Sequence, residues 1–241
     1  MSGITPRLTL AGHLEELRRR LGLSLLALLA ATGVSFLRAG DIVRWLQRPV
    51  QGLIPRFAFF TPTEPLAAYL KVAGLAGLVL AMPVILSQAW GFVRSGLTPR
   101  ERVSALLFAG WGSLQFAAGT LFAYFVLLPV SLRVLLRVGD GDLLPMISID
   151  RYVSFVTTVL FWSGLTFELP VLVWALARVG IVTPEWLRQQ RPYAILVLVI
   201  IAAVVSPTTD PVNLLLMALP LVLLYECSIL LSRFAATRSS P

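Results

Sequence analysis

Six apolar runs, separated by short polar or proline-bearing stretches, leave this chain few ways to fold. They cover residues 21–37, 69–93, 104–128, 152–177, 192–205 and 212–231. A helix needs about 20 apolar residues to cross a hydrocarbon core of about 30 Å. In hydrocarbon every backbone polar group must be satisfied within the protein, which favours helices for runs of this kind. Only 13% of the residues are charged, about half of what soluble domains carry. The sequence therefore predicts a single all-α integral membrane domain over residues 1–241, with six transmembrane helices. The fifth run has 14 residues, or roughly 21 Å at 1.5 Å per residue, too short to span comfortably. Ser206-Pro207 and Thr209-Asp210-Pro211 then impose a turn. The last two runs are expected to form a short final hairpin.

The net charge of +8 is distributed over short loops, as membrane topology requires, so nucleic acid is not an expected partner. Twelve basic residues fall on the side of the N-terminus and eight on the other, with Arg18, Arg19 and Arg20 abutting the first run. The positive-inside rule places both termini in the cytoplasm. The longer opposite loops, 38–68 and 129–151, mix Gly, Pro and apolar residues and are expected to hold short capping helices. One Cys and one His give no disulfide framework and no metal set. No G-x-x-x-x-G-K segment is present to cradle a nucleotide phosphate. Neither cofactor nor enzymatic activity is expected.

Four polar features stand out against this background. Glu168 is the one charge in residues 152–177, and Pro170 follows two positions later. An ionisable group at membrane depth marks a functional surface by default, and the proline loosens the helix beside it. Near the N-terminus, Leu10, Leu14, Leu17 and Leu21 form an apolar stripe flanked by His13, Glu16 and Arg20. The plain reading is an interfacial helix supported by Glu–Arg pairs four residues apart; the alternative is a carboxylate offered to a basic ligand. In the first loop on the same side, Thr98 and Glu101 have capping-box spacing. Glu101 would also lie at the same membrane surface as Glu16, and two such carboxylates could grip two guanidinium groups. Finally, Glu226 near the end of the last run suits an interfacial position or a pair with an arginine.

Taken in order, several short motifs resemble one family along nearly the whole chain. They include His13-Leu14-x-Glu16-Leu17-Arg18, Thr61-Pro62-Thr63-Glu64-Pro65, Trp90-x-Phe92, Leu97 through Glu101-Arg102, and Phe167-Glu168-x-Pro170. Arg191-Pro192-Tyr193, Ser206-Pro207, Asp210-Pro211 and Tyr225-Glu226 complete the set. Together they resemble TatC, the multispanning receptor of the twin-arginine protein translocase. The resemblance implies a cupped, glove-like bundle with both termini cytoplasmic, in the inner (cytoplasmic) membrane of the cell. It implies binding of twin-arginine signal peptides on folded cargo, and recruitment of TatA-type and TatB-type single-span subunits and further TatC copies. Transport would draw on the proton motive force. The family's signal-recognition positions fall on Glu16, Leu17, Arg18, Phe92 and Glu101. Its intramembrane acid falls on Glu168, and the acid of its last hairpin on Asp210. Leu214 stands where the family often carries Gln, and Leu66 where an aromatic is frequent.

Overall fold

The computed structural model describes residues 10–50, 57–94, 105–137, 146–178, 180–205 and 211–236. Helices dominate throughout, and the β-structure among the described residues is a single bridge between Ala58 and Ser148. The elements are α1 (Leu10–Phe36), α2 (Ala39–Gln47), a 3₁₀ turn (Arg48–Val50) and α3 (Glu64–Arg94). Next come α4 (Ala105–Phe122), a π-turn (Ala123–Leu127) and α5 (Leu128–Arg137), then α6 (Ile149–Phe167) and α7 (Leu169–Arg178). The last are α8 (Pro184–Gln189), α9 (Arg191–Val205) and α10 (Pro211–Ala236).

Four stretches are long and apolar enough to cross a membrane: Leu14–Phe36, Glu64–Phe92, Leu107–Leu135 and Ile149–Ala177. Two shorter apolar stretches lie in α9 and α10. The first helix begins eleven residues before the apolar run, because the leucine stripe from Leu10 continues the same helix. The final pair is unequal in helix length, with 15 residues in α9 and 26 in α10. The turn expected at 206–210 lies outside the described residues. The first long loop carries a capping helix, α2, whereas α5 continues the third of the four long stretches, and residues 138–145 of the second loop lie outside the described residues.

Prolines explain the two interruptions in the spans. Pro129 lacks the N–H that the Phe125 carbonyl would accept in an α-helix. Just before it the chain widens into the π-turn, where the Leu128 N–H donates to the Ala123 oxygen. Pro170 likewise deprives the Thr166 carbonyl of its partner, and α6 ends at Phe167.

Small residues let the spans approach closely, as membrane packing favours. A Cβ on Gly77 of α3 would lie 2.4 Å from Thr32 Oγ1 and 2.6 Å from the Thr32 Cα and N of α1. Between α4 and α6, a Cβ on Gly119 would lie 2.7 Å from the Ser163 carbonyl oxygen. There Ser163 Oγ donates to the Gly119 carbonyl at 2.9 Å. The core beside this crossing contains Phe116, Val153, Val156, Val159 and Leu160, all almost fully buried. By contrast Leu26, Leu80, Leu114 and Leu215 point outward and are more than half exposed. That outward apolar face is what a bilayer solvates.

The end away from the N-terminus of α1 is tied by polar contacts. Ser148 Oγ donates to Glu64 Oε2 at 2.5 Å, and Lys71 Nζ donates to Asp150 at 2.6 Å and Ser154 Oγ at 2.7 Å. Tyr124 Oη donates to the Trp45 carbonyl at 2.9 Å and Tyr152 Oη to the Leu46 carbonyl at 2.6 Å. These two hydroxyls bond carbonyls in the last turn of α2, where the Trp45 carbonyl also accepts from the Arg48 N–H. Tyr152→Phe should lower stability by about 1–2 kcal/mol, since it removes a buried hydrogen bond. Thermal unfolding in detergent reads this as a fall in Tm of a few degrees at unchanged helix content.

Candidate functional site

Two places combine polar chemistry with tight packing, and both lie toward the end where α1 begins and α3 finishes. The first is built where antiparallel α1 and α3 cross. α1 packs chiefly on α3, which sets one face of its first turns against Gln88 and Gly91. Glu16 and Arg20, four residues apart, share that face. Arg20 donates from Nη2 at 2.7 Å and from Nε at 3.1 Å, both to Glu16 Oε1. Its Nη1 lies 3.4 Å from both the carbonyl and the side-chain oxygen of Gln88. Both partners of the ion pair are only 19% exposed. Gly91 makes room for this arrangement, since a Cβ there would lie 1.9 Å from Arg20 Nη1.

Phe92 follows Gly91 on α3 and is half-buried, while Leu17 is half-buried and Arg18 exposed on α1. The fold thus brings Glu16, Leu17, Arg18 and Phe92 to one end of one helix pair. Sequence reasoning noted Glu16 and Arg20 on one flank, and it treated Arg20 as a helix-stabilising neighbour. The contact to α3 was missed. A glycine beside two aromatics in Trp90-Gly91-Phe92 was the available signal. Glu101 and its capping-box partner Thr98 lie outside the described residues, as does Asp210.

The second place is Glu168, the single residue between α6 and α7. Its N–H donates to the Leu165 carbonyl at 3.2 Å, and its own carbonyl accepts from the Leu172 N–H at 2.9 Å. The side chain is 9% exposed, and Oε1 is buried with no hydrogen-bond donor among the described residues. The carboxyl lies over Gly112 of α4: a Cβ there would meet Glu168 Oε2 at 3.0 Å and Leu86 Cδ1 at 2.4 Å. Gly112 therefore admits the acid to the α3–α4 surface. Leu86 is five residues from Gly91, so the two acidic places are separated by roughly 8 Å along α3.

An aromatic stack flanks the acid. Trp90 and Phe108 have centroids 4.4 Å apart, with Trp174 at 6.1 and 6.4 Å from them. Beside it runs a cleft of about 350 Å³, lined by Leu107, Phe108, Trp111, Pro170, Val171 and Trp174. At the far end of α10, Glu226 pairs with Arg191 at 2.6 Å, as the sequence suggested. The described residues bring together no group of three or more His, Cys, Asp or Glu side chains.

The chain is similar to known proteins over most of its length. The family model described as Sec-independent protein translocase protein (TatC) matches residues 12–220. The Sec-independent protein translocase protein TatC of Carboxydothermus hydrogenoformans is 39% identical over 227 residues, covering 94% of this chain and 93% of that one. Its counterpart in Aquifex aeolicus is 38% identical over 233 residues, covering 95% and 96%. A crystal structure described as the twin arginine translocase receptor TatC superimposes with a TM-score of 0.80 at 38% identity, covering 92% of this chain and 99% of that one.

Proposed function

The chain belongs to the TatC family of Sec-independent protein translocase proteins, and from that premise we propose that it is the receptor for twin-arginine signal peptides. As a family member it is a membrane-spanning translocase component and not an enzyme. In the proposed reading α9 and α10 are the fifth and sixth spans, and both termini face the cytoplasm at the inner membrane. Glu16 and Glu101 bind the two guanidinium groups of the signal peptide, with Leu17, Arg18 and Phe92 shaping the surface around them.

The observation that carries this reading is the packing of α1 on α3, which sets Glu16 within a partly buried guanidinium seat beside Phe92. A carboxylate that holds the Arg20 guanidinium in this seat has the geometry to hold a peptide guanidinium in its place. Arginine offers a planar fork of donors, whereas lysine is a point charge on a flexible stem, so Arg-Arg is favoured over Lys-Lys. The apolar stretch behind the twin arginines then lies along the spans toward Glu168. Glu168 sits deeper, in largely apolar surroundings, and suits contact with the inserted peptide or a polar group on a partner helix. Asp210 is proposed to serve the last hairpin in the same way. Binding of this kind recruits TatA-type and TatB-type subunits and further TatC copies, and the proton motive force drives export of the folded cargo.

Photo-reactive residues at position 15, an exposed neighbour of Glu16, and at position 168 test the reading. A precursor with two arginines should cross-link at both positions, and one with two lysines should lose the product at 15. Equal yields from the two precursors would refute recognition at this surface.

A further inference from the structure

Arg20 already occupies the position at Glu16 that a peptide guanidinium would take. Two of its donors converge on the single oxygen Glu16 Oε1, and the third nitrogen reaches Gln88. Both residues are on one helix, four positions apart, so the backbone fixes this side-on approach. A free peptide carries no such restraint and can present its guanidinium as a fork across a carboxylate. We propose that Arg20 is a resident guanidinium that the signal peptide must displace from Glu16, so that it sets the affinity threshold of the receptor. This rests on the reading of Glu16 as a ligand for peptide arginine.

The seat has features that suit exchange. Gly91 gives the guanidinium space against α3. The two Gln88 oxygens, at 3.4 Å from Nη1, give the displaced side chain acceptors close by. The empty receptor thereby keeps Glu16 matched with a positive charge at a surface only 19% exposed. A ligand gains only the difference between its own pair and the internal one. Weakly held cations are excluded by the same factor as strongly held ones. Arg20 thus sets how tightly a peptide must bind, and the fork geometry sets the preference for arginine over lysine.

The test uses the full chain in lipid nanodiscs and a fluorescent synthetic peptide with two arginines ahead of an apolar stretch. Arg20→Gln should lower Kd about fivefold, the scale of about 1 kcal/mol for a well-formed ion pair, with the gain in association rate. The ratio of Arg-Arg to Lys-Lys affinity should stay at its wild-type value in this variant.

Arg19→Gln, an exposed neighbour with the same charge change, should alter Kd less than twofold. Weaker binding by Arg20→Gln would make Arg20 a support for Glu16 and overturn the displacement role. Equal tightening by Arg19→Gln and Arg20→Gln would reduce the effect to bulk charge and also overturn it. Glu16→Gln, run in parallel, separates the two levels. If it binds like wild type, the reading of Glu16 fails and the inference with it. If it abolishes binding while Arg20→Gln does not tighten it, the inference alone is lost.

Discussion

Glu16→Ala should abolish cross-linking of a twin-arginine peptide to this chain and raise its Kd by about 100-fold or more. Removing one member of a desolvated charge pair costs roughly 2–5 kcal/mol, and each 1.4 kcal/mol is about tenfold in affinity. The carboxylate is mostly shielded, at 19% exposure, so water replaces it poorly. The change also leaves Arg20 in its place beside Gln88, where its charge would repel an incoming guanidinium. Membrane insertion and helix content should remain at wild-type levels, which immunoblotting and circular dichroism check. Undiminished cross-linking from position 15 with this variant would remove Glu16 from the proposed site.

Gly77→Ala should have the next largest effect, although Gly77 lies far from any charge. Its new Cβ would lie 2.6 Å from the Thr32 Cα and N, and backbone atoms cannot rotate aside as a side-chain tip can. α1 must move away from α3, its chief packing partner. Overpacking of this kind costs about 1–3 kcal/mol, and Tm should fall by roughly 2–12 °C at about 2–4 °C per kcal/mol. Gly77 and Gly91 are fourteen residues apart, or about 21 Å along the helix. A displaced α1 therefore misaligns Glu16 and Arg20 against Gly91, and peptide cross-linking should drop with the recognition residues intact. Gly74→Ala is the matched control, because nothing lies within 4 Å of a Cβ there. If the two variants behave alike, the Gly77 contact does not hold α1 in place.

The four long spans were legible from the sequence because hydropathy and length are local properties. Glu168 was legible for the same reason, as the one charge in a long apolar run, and the paired proline foretold the helix break beside it. The ordered motifs pointed to the family, which the later similarity bore out. What stayed hidden was contact between distant segments. Arg20 and Gln88 are 68 positions apart, and nothing in either neighbourhood specifies that they meet. Gly77, Gly91, Gly112 and Gly119 read as tolerated glycines until the helix opposite each is known. The inequality of the last two helices was partly legible, as runs of 14 and 20 residues, and residues 232–236 lengthen α10 further.

The two tyrosine hydroxyls that end on α2 have a mechanical consequence. Tyr124 and Tyr152 belong to different spans, yet they donate to carbonyls of adjacent residues, Trp45 and Leu46. Tyr124 also stacks on the Trp45 ring with centroids 3.8 Å apart. α2 thus acts as a crossbar that fixes the axial registration of the two spans. A slide of either by one residue, about 1.5 Å, would break one hydrogen bond while the other held. The pair is built to travel as one rigid strut, and a change of shape during transport would fall to elements outside the crossbar's reach, such as α1 on its single glycine-lined seam.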